Sequence, residues 1–183
     1  MVVNRDDDLG DESYFDRRHD RGGEFDAKLL REPLQALPIR EPLVLSTHDD
    51  VTSAMRAMQR GHRGCVIVTD DGTKSSKLLG IFTERDVLFR IVDQGKNPAT
   101  LPLSEVMTPD PEVLPVRSTV AYALNMMSVG GFRHVPVVDE ERRPAFVISV
   151  RDIVEFLVEA FPREVLNLPV QYGFKSQRSR EGA

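Results

Sequence analysis

The stretch Pro42 to Asp70, PLVLSTHDDVTSAMRAMQRGHRGCVIVTD, can be laid on Pro111 to Asp139, PEVLPVRSTVAYALNMMSVGGFRHVPVVD. Val44, Val51, Ala54, Met58 and Gly61 fall on Val113, Val120, Ala123, Met127 and Gly130, each 69 positions later. One inserted residue then places Arg63 on Arg133 and Val68 on Val138, 70 positions on. The loop DDGTKSSKLLG is longer than its counterpart EERRPAF, so Thr83 and Asp86 fall on Ser149 and Asp152, 66 positions on. A self-match of this length is the signature of a tandem duplication.

Both copies read alike. A short extended piece, Val44 to Ser46 or Val113 to Pro115, precedes a helix opened by Asp49-Asp50 or Ser118-Thr119. Apolar residues at helical spacing (Val51, Ala54, Met55, Met58; Val120, Ala123, Leu124, Met127) give that helix a buried face. Glycines close it, Gly61 in one copy and Gly130-Gly131 in the other. Two β-rich runs follow, Cys65 to Val68 and Leu78 to Phe82, then Val135 to Val138 and Ala145 to Ser149. A last helix begins near Asp86 or Asp152. The expected fold class is α+β, a β-α-β-β-α unit repeated. A unit of about 55 residues buries too little surface to stand alone, so the two must pack together.

The last helices carry a further message. Val87, Leu88, Phe89, Ile91 and Val92 in one, and Ile153, Val154, Phe156, Leu157 and Val158 in the other, are apolar. They cover roughly 200° of the wheel at ~100° per residue, wider than a single-face stripe. One side can cover its own sheet while the other seeks a partner. A homodimer through the 87–92 and 153–158 helices is expected, or an interface with a larger protein.

Nine acidic residues against four arginines in residues 1–26 account for the whole net charge of -5, so the rest of the chain is balanced. Residues 1–32 read as an acidic, disordered tail in which only Tyr14, Phe15 and Phe25 offer a docking contact. Residues 36–93 and 103–162 are the two units, and 163–183 a polar C-terminal tail. A balanced body without Trp disfavours nucleic acid. No apolar run approaches a membrane span and the N-terminus lacks a secretion signal, so a cytoplasmic protein is expected. Cys65, the single cysteine, sits in the apolar run CVIV and reads as a core residue. His19, His48, His62 and His134 show no metal-ligand spacing, and no nucleophile, P-loop or dinucleotide motif is present, so no enzyme is expected.

Thr83-x-x-Asp86 and Ser149-x-x-Asp152 admit two readings. A hydroxyl followed three residues later by an acid is a helix capping box, although such boxes prefer Glu or Gln to the shorter Asp. Both copies also place arginine before that aspartate, Arg85 and Arg151. A strand-to-helix turn with free N–H groups and a guanidinium suits phosphate, and a carboxylate beside it can accept two hydrogen bonds from a ribose diol. The two readings are compatible.

The endings GIFTERDVLFRIV and FVISVRDIVEFLV, with GGFRHVPVVDE and VMTPDPEVLPVRSTVAYALNMM, resemble a tandem pair of cystathionine-β-synthase (CBS) domains, a Bateman module of the small stand-alone bacterial type. The resemblance spans about residues 36 to 162. It implies two units packed through their sheets with pseudo-two-fold symmetry, and an adenosyl ligand (AMP, ADP, ATP or S-adenosylmethionine) bound between them, with no cofactor required. By the family motif Asp86 and Asp152 would hold ribose hydroxyls, with Thr83 and Ser149 at ribose or phosphate. Arg85, Arg151, Arg133 and His134 would reach phosphate. Ser46, Thr47, Pro115 and Val116, with Val66 and Pro136, would line the adenine slot. The first unit departs from the pattern: Arg63-Gly64 stands opposite Arg133-His134, and the proline of HVPVV is missing. The implied function is a non-catalytic regulator that signals to an unidentified effector protein by changing repeat packing. The alternative is a dimerising scaffold with vestigial clefts.

Overall fold

The computed structural model describes residues 27–162; most of the acidic tail, with Tyr14, Phe15 and Phe25, and the stretch 163–183 lie outside the described residues. The first unit runs β1 (Val44–Ser46), α1 (Val51–Gly61), β2 (Cys65–Thr69) and β3 (Leu78–Thr83). Its closing helix α2 starts as one α turn (Glu84–Asp86) and widens into a π-helical stretch (Val87–Val92). A 3-10 turn (Leu103–Glu105) and a two-residue strand β4 (Thr108–Pro109) lead into the second unit. There β5 (Leu114–Pro115), α3 (Val120–Gly130), β6 (His134–Val138), β7 (Pro144–Ser149) and α4 (Val150–Ala160) repeat the order. The α+β fold of two β-α-β-β-α units packed through their sheets is the one expected.

One sheet has the order β1-β2-β3-β4 and the other β5-β6-β7. In each, the opening strand lies parallel to the second, which pairs antiparallel with the third. Side chains alternate across a strand, so β2 serves two layers. Val66 and Val68 point to α1, where Val51, Ala54 and Met58 meet them, while Cys65 and Ile67 join Leu78, Ile81 and Val138 between the two sheets. Both faces are covered, which is why β2 is buried along its whole length and apolar from Cys65 to Val68. In the second unit Val135, Val137, Phe146 and Ile148 pack on Val120, Ala123, Met127 and Ile153.

Strand register corrects one part of the sequence alignment. Cys65, Val66, Ile67 and Val68 pair with Thr83, Phe82, Ile81 and Gly80, and His134, Val135, Pro136 and Val137 pair with Ser149, Ile148, Val147 and Phe146. The bulges also correspond, between Val68 and Thr69 and between Val137 and Val138. There is no inserted residue: the offset of 69 continues to Thr69 and Val138. Gly64-Cys65 is therefore the counterpart of Arg133-His134, and Ile67 that of Pro136. The similarity of the two Arg-containing turns invites the slip, but a shift of one residue would turn every side chain of β2 to the wrong face.

The same offset extends upstream and reveals an exchange. Leu34 and Leu37 are buried in the core of the second unit, whereas Leu103 and Val106 are buried in the core of the first. Backbone bonds hold both leaders: Leu34 N–H donates to Ser118 O and Val120 N–H to Glu32 O, while Leu103 N–H donates to Asp49 O and Val51 N–H to Leu101 O. The bridges Pro33–Thr119 and Asp50–Pro102 complete the correspondence. Each unit is roofed by the segment that precedes the other.

Helix ends follow local chemistry. Asp50 caps α1 by accepting from Ser53 N–H at 2.7 Å. The α1 and α3 C-caps are left-handed, His62 (φ 49°) and Gly131 (φ 69°). β4 lies flat on β3 because Gly80 has no side chain; a Cβ there would stand 2.4 Å from the Met107 sulfur. Among the described residues no helix is long and apolar enough to cross a membrane.

Arg90 ties the π-helical stretch to the connector between units. Its guanidinium donates to the carbonyls of Val106 and Met107, each at 2.7 Å, and to Thr108 Oγ1 at 3.0 Å, and it pairs with Asp86 at 3.1 Å. Arg90→Met is expected to cost about 2 kcal/mol, because charged hydrogen bonds to half-buried acceptors are lost. Calorimetry would then read a midpoint lower by about 4–8 °C for a chain of this size. An unchanged midpoint would show that the connector is held without this side chain.

Candidate functional site

β2 and β6 begin, and β3 and β7 end, along one edge of the sheets, and the two strand-to-helix turns project there. Both turns are complete capping boxes. Asp86 Oδ2 accepts from Thr83 N–H at 2.9 Å and from its hydroxyl at 2.7 Å, while Asp86 N–H donates to Thr83 Oγ1 at 3.3 Å. Asp152 Oδ2 accepts from Ser149 N–H and hydroxyl, both at 2.7 Å, with Asp152 N–H to Ser149 Oγ at 3.3 Å. In each case the cap uses one carboxylate oxygen. The other oxygen of Asp86 meets Arg90, while no ion pair is formed by Asp152 among the described residues.

Two cavities of about 450 Å³ each flank the meeting line of the units. The first joins Ser149, Arg151 and Asp152 of the second unit to residues 40–43 and His62 to Cys65 of the first. The second joins Thr83, Arg85 and Asp86 of the first unit to Asp110 to Glu112, Gly131 to His134 and Pro136 of the second. Each cavity thus takes its hydroxyl–aspartate turn from one unit and its strand openings from the other. A molecule in either touches both units.

The two cavities share a wall. Gly64, Glu84, Arg133 and His134 line both. A Cβ on Gly64 would stand 2.7 Å from His134 Cε1, so the ring occupies the space that a side chain at Gly64 would need. Burial is the main cause that holds His134 below the usual imidazole pKa; Arg133 beside it acts in the same direction and Asp152 against it. It is a neutral ring at neutral pH. Burial likewise pushes the Cys65 thiol up to about 12, so it is a packing residue and no nucleophile.

Arg151 and Arg85 run along their own helices. Arg151 donates to Glu155 at 2.8 Å, and Arg40 reaches the same carboxylate across the unit boundary at 3.2 Å. Arg85 lies 5.6 Å from the centre of the Phe89 ring. Of the residues singled out in the sequence, Thr83, Arg85, Asp86, Arg133, His134, Pro136, Ser149, Arg151 and Asp152 line the cavities. Ser46, Thr47, Pro115, Val116 and Val66 line neither. The first four lie at the far ends of β1 and β5 or beyond, and Val66 is wholly buried against α1. Because β1 runs parallel to β2, residues before it face the cavity edge and residues after it do not.

That geometry also brings in groups the sequence reading passed over. Glu41-Pro42 and Asp110-Pro111 stand at equivalent places, and each acid is paired with a cation of a β-hairpin loop, Glu41 with Lys74 and Asp110 with Arg142. The recurring pattern acid-Pro-x-Val-Leu, 69 positions apart, was the available signal.

A CBS domain profile matches residues 34–93 and 103–159, more than half of the chain. The chain belongs to the CBS-domain family. It is 29% identical over 133 residues to the mitochondrial CBS-domain protein CBSX3 of Arabidopsis thaliana, covering 70% of this chain and 64% of that one. It is 31% identical over 110 residues to CBSCBSPB3 of the same plant, covering 60% of this chain but 19% of the relative. The chain thus spans less than two thirds of either relative. A crystal structure of a CBS-domain protein of Agrobacterium tumefaciens superposes with a TM-score of 0.56 at 30% identity, over 63% of this chain and 89% of that one. A CBS domain protein of Pyrobaculum aerophilum complexed with AMP shares the fold at 23% identity, with a TM-score of 0.60 over 68% and 94% of the chains. Tandem CBS modules are generally non-catalytic regulatory domains.

His134 generates a pH prediction. Its folded pKa lies below its unfolded one, so the unfolded chain takes up the proton more readily. The stability tied to this group is full above the ordinary imidazole pKa and is lost as pH falls through the folded value. Stability is therefore expected to decline as pH falls below the ordinary imidazole range, and His134→Gln to flatten that part of the curve. Denaturant midpoints across pH measure both; an identical slope in the variant would contradict burial as the cause.

Proposed function

We propose that this protein is a nucleotide-responsive regulator: an adenosyl ligand binds in the cavities between the repeats and biases their packing, which alters the surface offered to an effector protein. The single observation that carries this reading is that each cavity is built from both units. A ligand there can have different affinities for two arrangements of the units, which is the only way it can shift their equilibrium. Asp152 would accept from ribose hydroxyls on its second oxygen while keeping its cap, and Asp86 would do so on an oxygen it shares with Arg90, since a carboxylate has about four acceptor sites and the cap uses one oxygen. Arg63 and Arg133 would meet phosphate, together with the backbone N–H groups of Arg85 and Arg151, since the flanking N–H groups of both first turns are taken by Gly64 O, Arg133 O and the capping hydroxyls. The AMP complex of the Pyrobaculum protein supports the ligand class.

The scaffold reading has one observation in its favour, that both hydroxyl–aspartate pairs already do structural work as caps. Replacing Asp86 and Asp152 together by Asn separates the two, because an amide oxygen can still accept the cap bonds. Calorimetric titration with AMP and ATP is expected to show affinity lower by about tenfold or more, with a small change in thermal midpoint. No nucleotide binding by either protein would favour the scaffold, and unaltered binding in the variant would contradict the role given to the two aspartates.

Assembly belongs to the same reading. Leu88, Phe89 and Val92 on α2 and Val150 and Val154 on α4 are exposed, while Ile91 and Ile153 on the opposite sides are buried. Equivalent apolar faces on the two closing helices suit a second copy of the chain, because a two-fold contact uses the same patch on both partners. Light scattering is expected to give a dimer for the unsubstituted protein and a monomer for Leu88→Glu with Val154→Glu. A monomer at all concentrations of the unsubstituted protein would sink the dimer.

A further inference from the structure

The two cavities are repeats of one plan, yet they differ at lining positions. Where the first has Leu43, His62 and Arg63, the second has Glu112, Gly131 and Phe132. The offset of 69 makes these true counterparts. His62 holds a left-handed conformation (φ 49°) that its counterpart Gly131 adopts without a side chain, so an imidazole is kept there against a conformational cost.

Charge follows the same division. Apart from the shared Arg133 and Glu84, the first cavity is lined by Arg40, Arg63 and Arg151 against Glu41 and Asp152. The second is lined by Arg85 and Arg90 against Asp86, Asp110 and Glu112. Engagement widens the difference. Arg90 is committed to two carbonyls, Thr108 and Asp86, and Arg85 lies over Phe89. In the first cavity no ion pair holds Arg63 among the described residues, and Arg40 and Arg151 share the one carboxylate of Glu155.

We propose that the clefts are matched to ligands of different charge: the first, at Ser149 and Asp152, takes an adenine nucleotide with two or three phosphates, and the second, at Thr83 and Asp86, an adenosyl compound with at most one. This rests on the nucleotide reading above and deepens it. A polyphosphate tail needs several guanidinium donors, which the first cleft offers. In the second, Glu112 repels added phosphate and the uncharged Phe132 stands at the position of Arg63.

The test titrates ATP and AMP calorimetrically into three proteins. In Asp86→Asn the first cleft remains intact, and ATP is expected to bind at least about tenfold more tightly than AMP. In Asp152→Asn the second remains, and AMP is expected to bind as tightly as ATP or more tightly. Glu112→Leu with Phe132→Arg, at two exposed residues, is expected to raise ATP affinity of the second cleft by about tenfold. Equal ATP-to-AMP ratios in the two Asp variants, or ATP retained in Asp152→Asn and lost in Asp86→Asn, would overturn this inference alone. No adenine nucleotide bound by the unsubstituted protein would overturn the nucleotide reading and this inference together.

Discussion

The exchange of leaders is the constraint on which the rest of the molecule depends. Leu34 and Leu37 complete the core of the second unit, and Leu103 and Val106 complete that of the first. Neither unit can close its apolar core with its own contiguous residues. A fully buried leucine contributes about 1.5–3 kcal/mol, so taking the leaders away would uncover cores that are small already. The fold is one cooperative body with two repeats rather than two domains on a string. Any movement of one repeat is felt at the roof of the other.

The clefts are a by-product of the same closure. Sheets that meet through Cys65, Ile67, Ile81 and Val138 leave gaps at their edges, where the two strand-to-helix turns stand. Those turns are held by their own capping bonds, so the aspartates are oriented before any ligand arrives. Such preorganisation reduces the ordering cost of binding.

Duplication made the halves alike, and contact between them made them unlike. Where the units meet, the ring of His134 fills the space beside Gly64, so a side chain there would displace it. The four residues Gly64, Glu84, Arg133 and His134 form one boundary common to both clefts.

The sequence alone determined the duplication, the order of elements, the turns that open α2 and α4, and the apolar faces of the closing helices. These are local properties: helical spacing, alternation, caps and glycines depend on neighbours a few residues away. Tertiary structure decided the rest. Which end of β1 faces the cleft depends on its parallel pairing with β2, so Leu43 lines a cavity and Ser46 does not. The offset at β2 was decided by pairing with β3, since a strand's register is specified by which face is buried and not by residue similarity. The exchange of leaders was written in the repeat from Pro33 and Pro102 onward, yet their destination is non-local. A short apolar segment shows that it will be buried, and only the assembled cores show where.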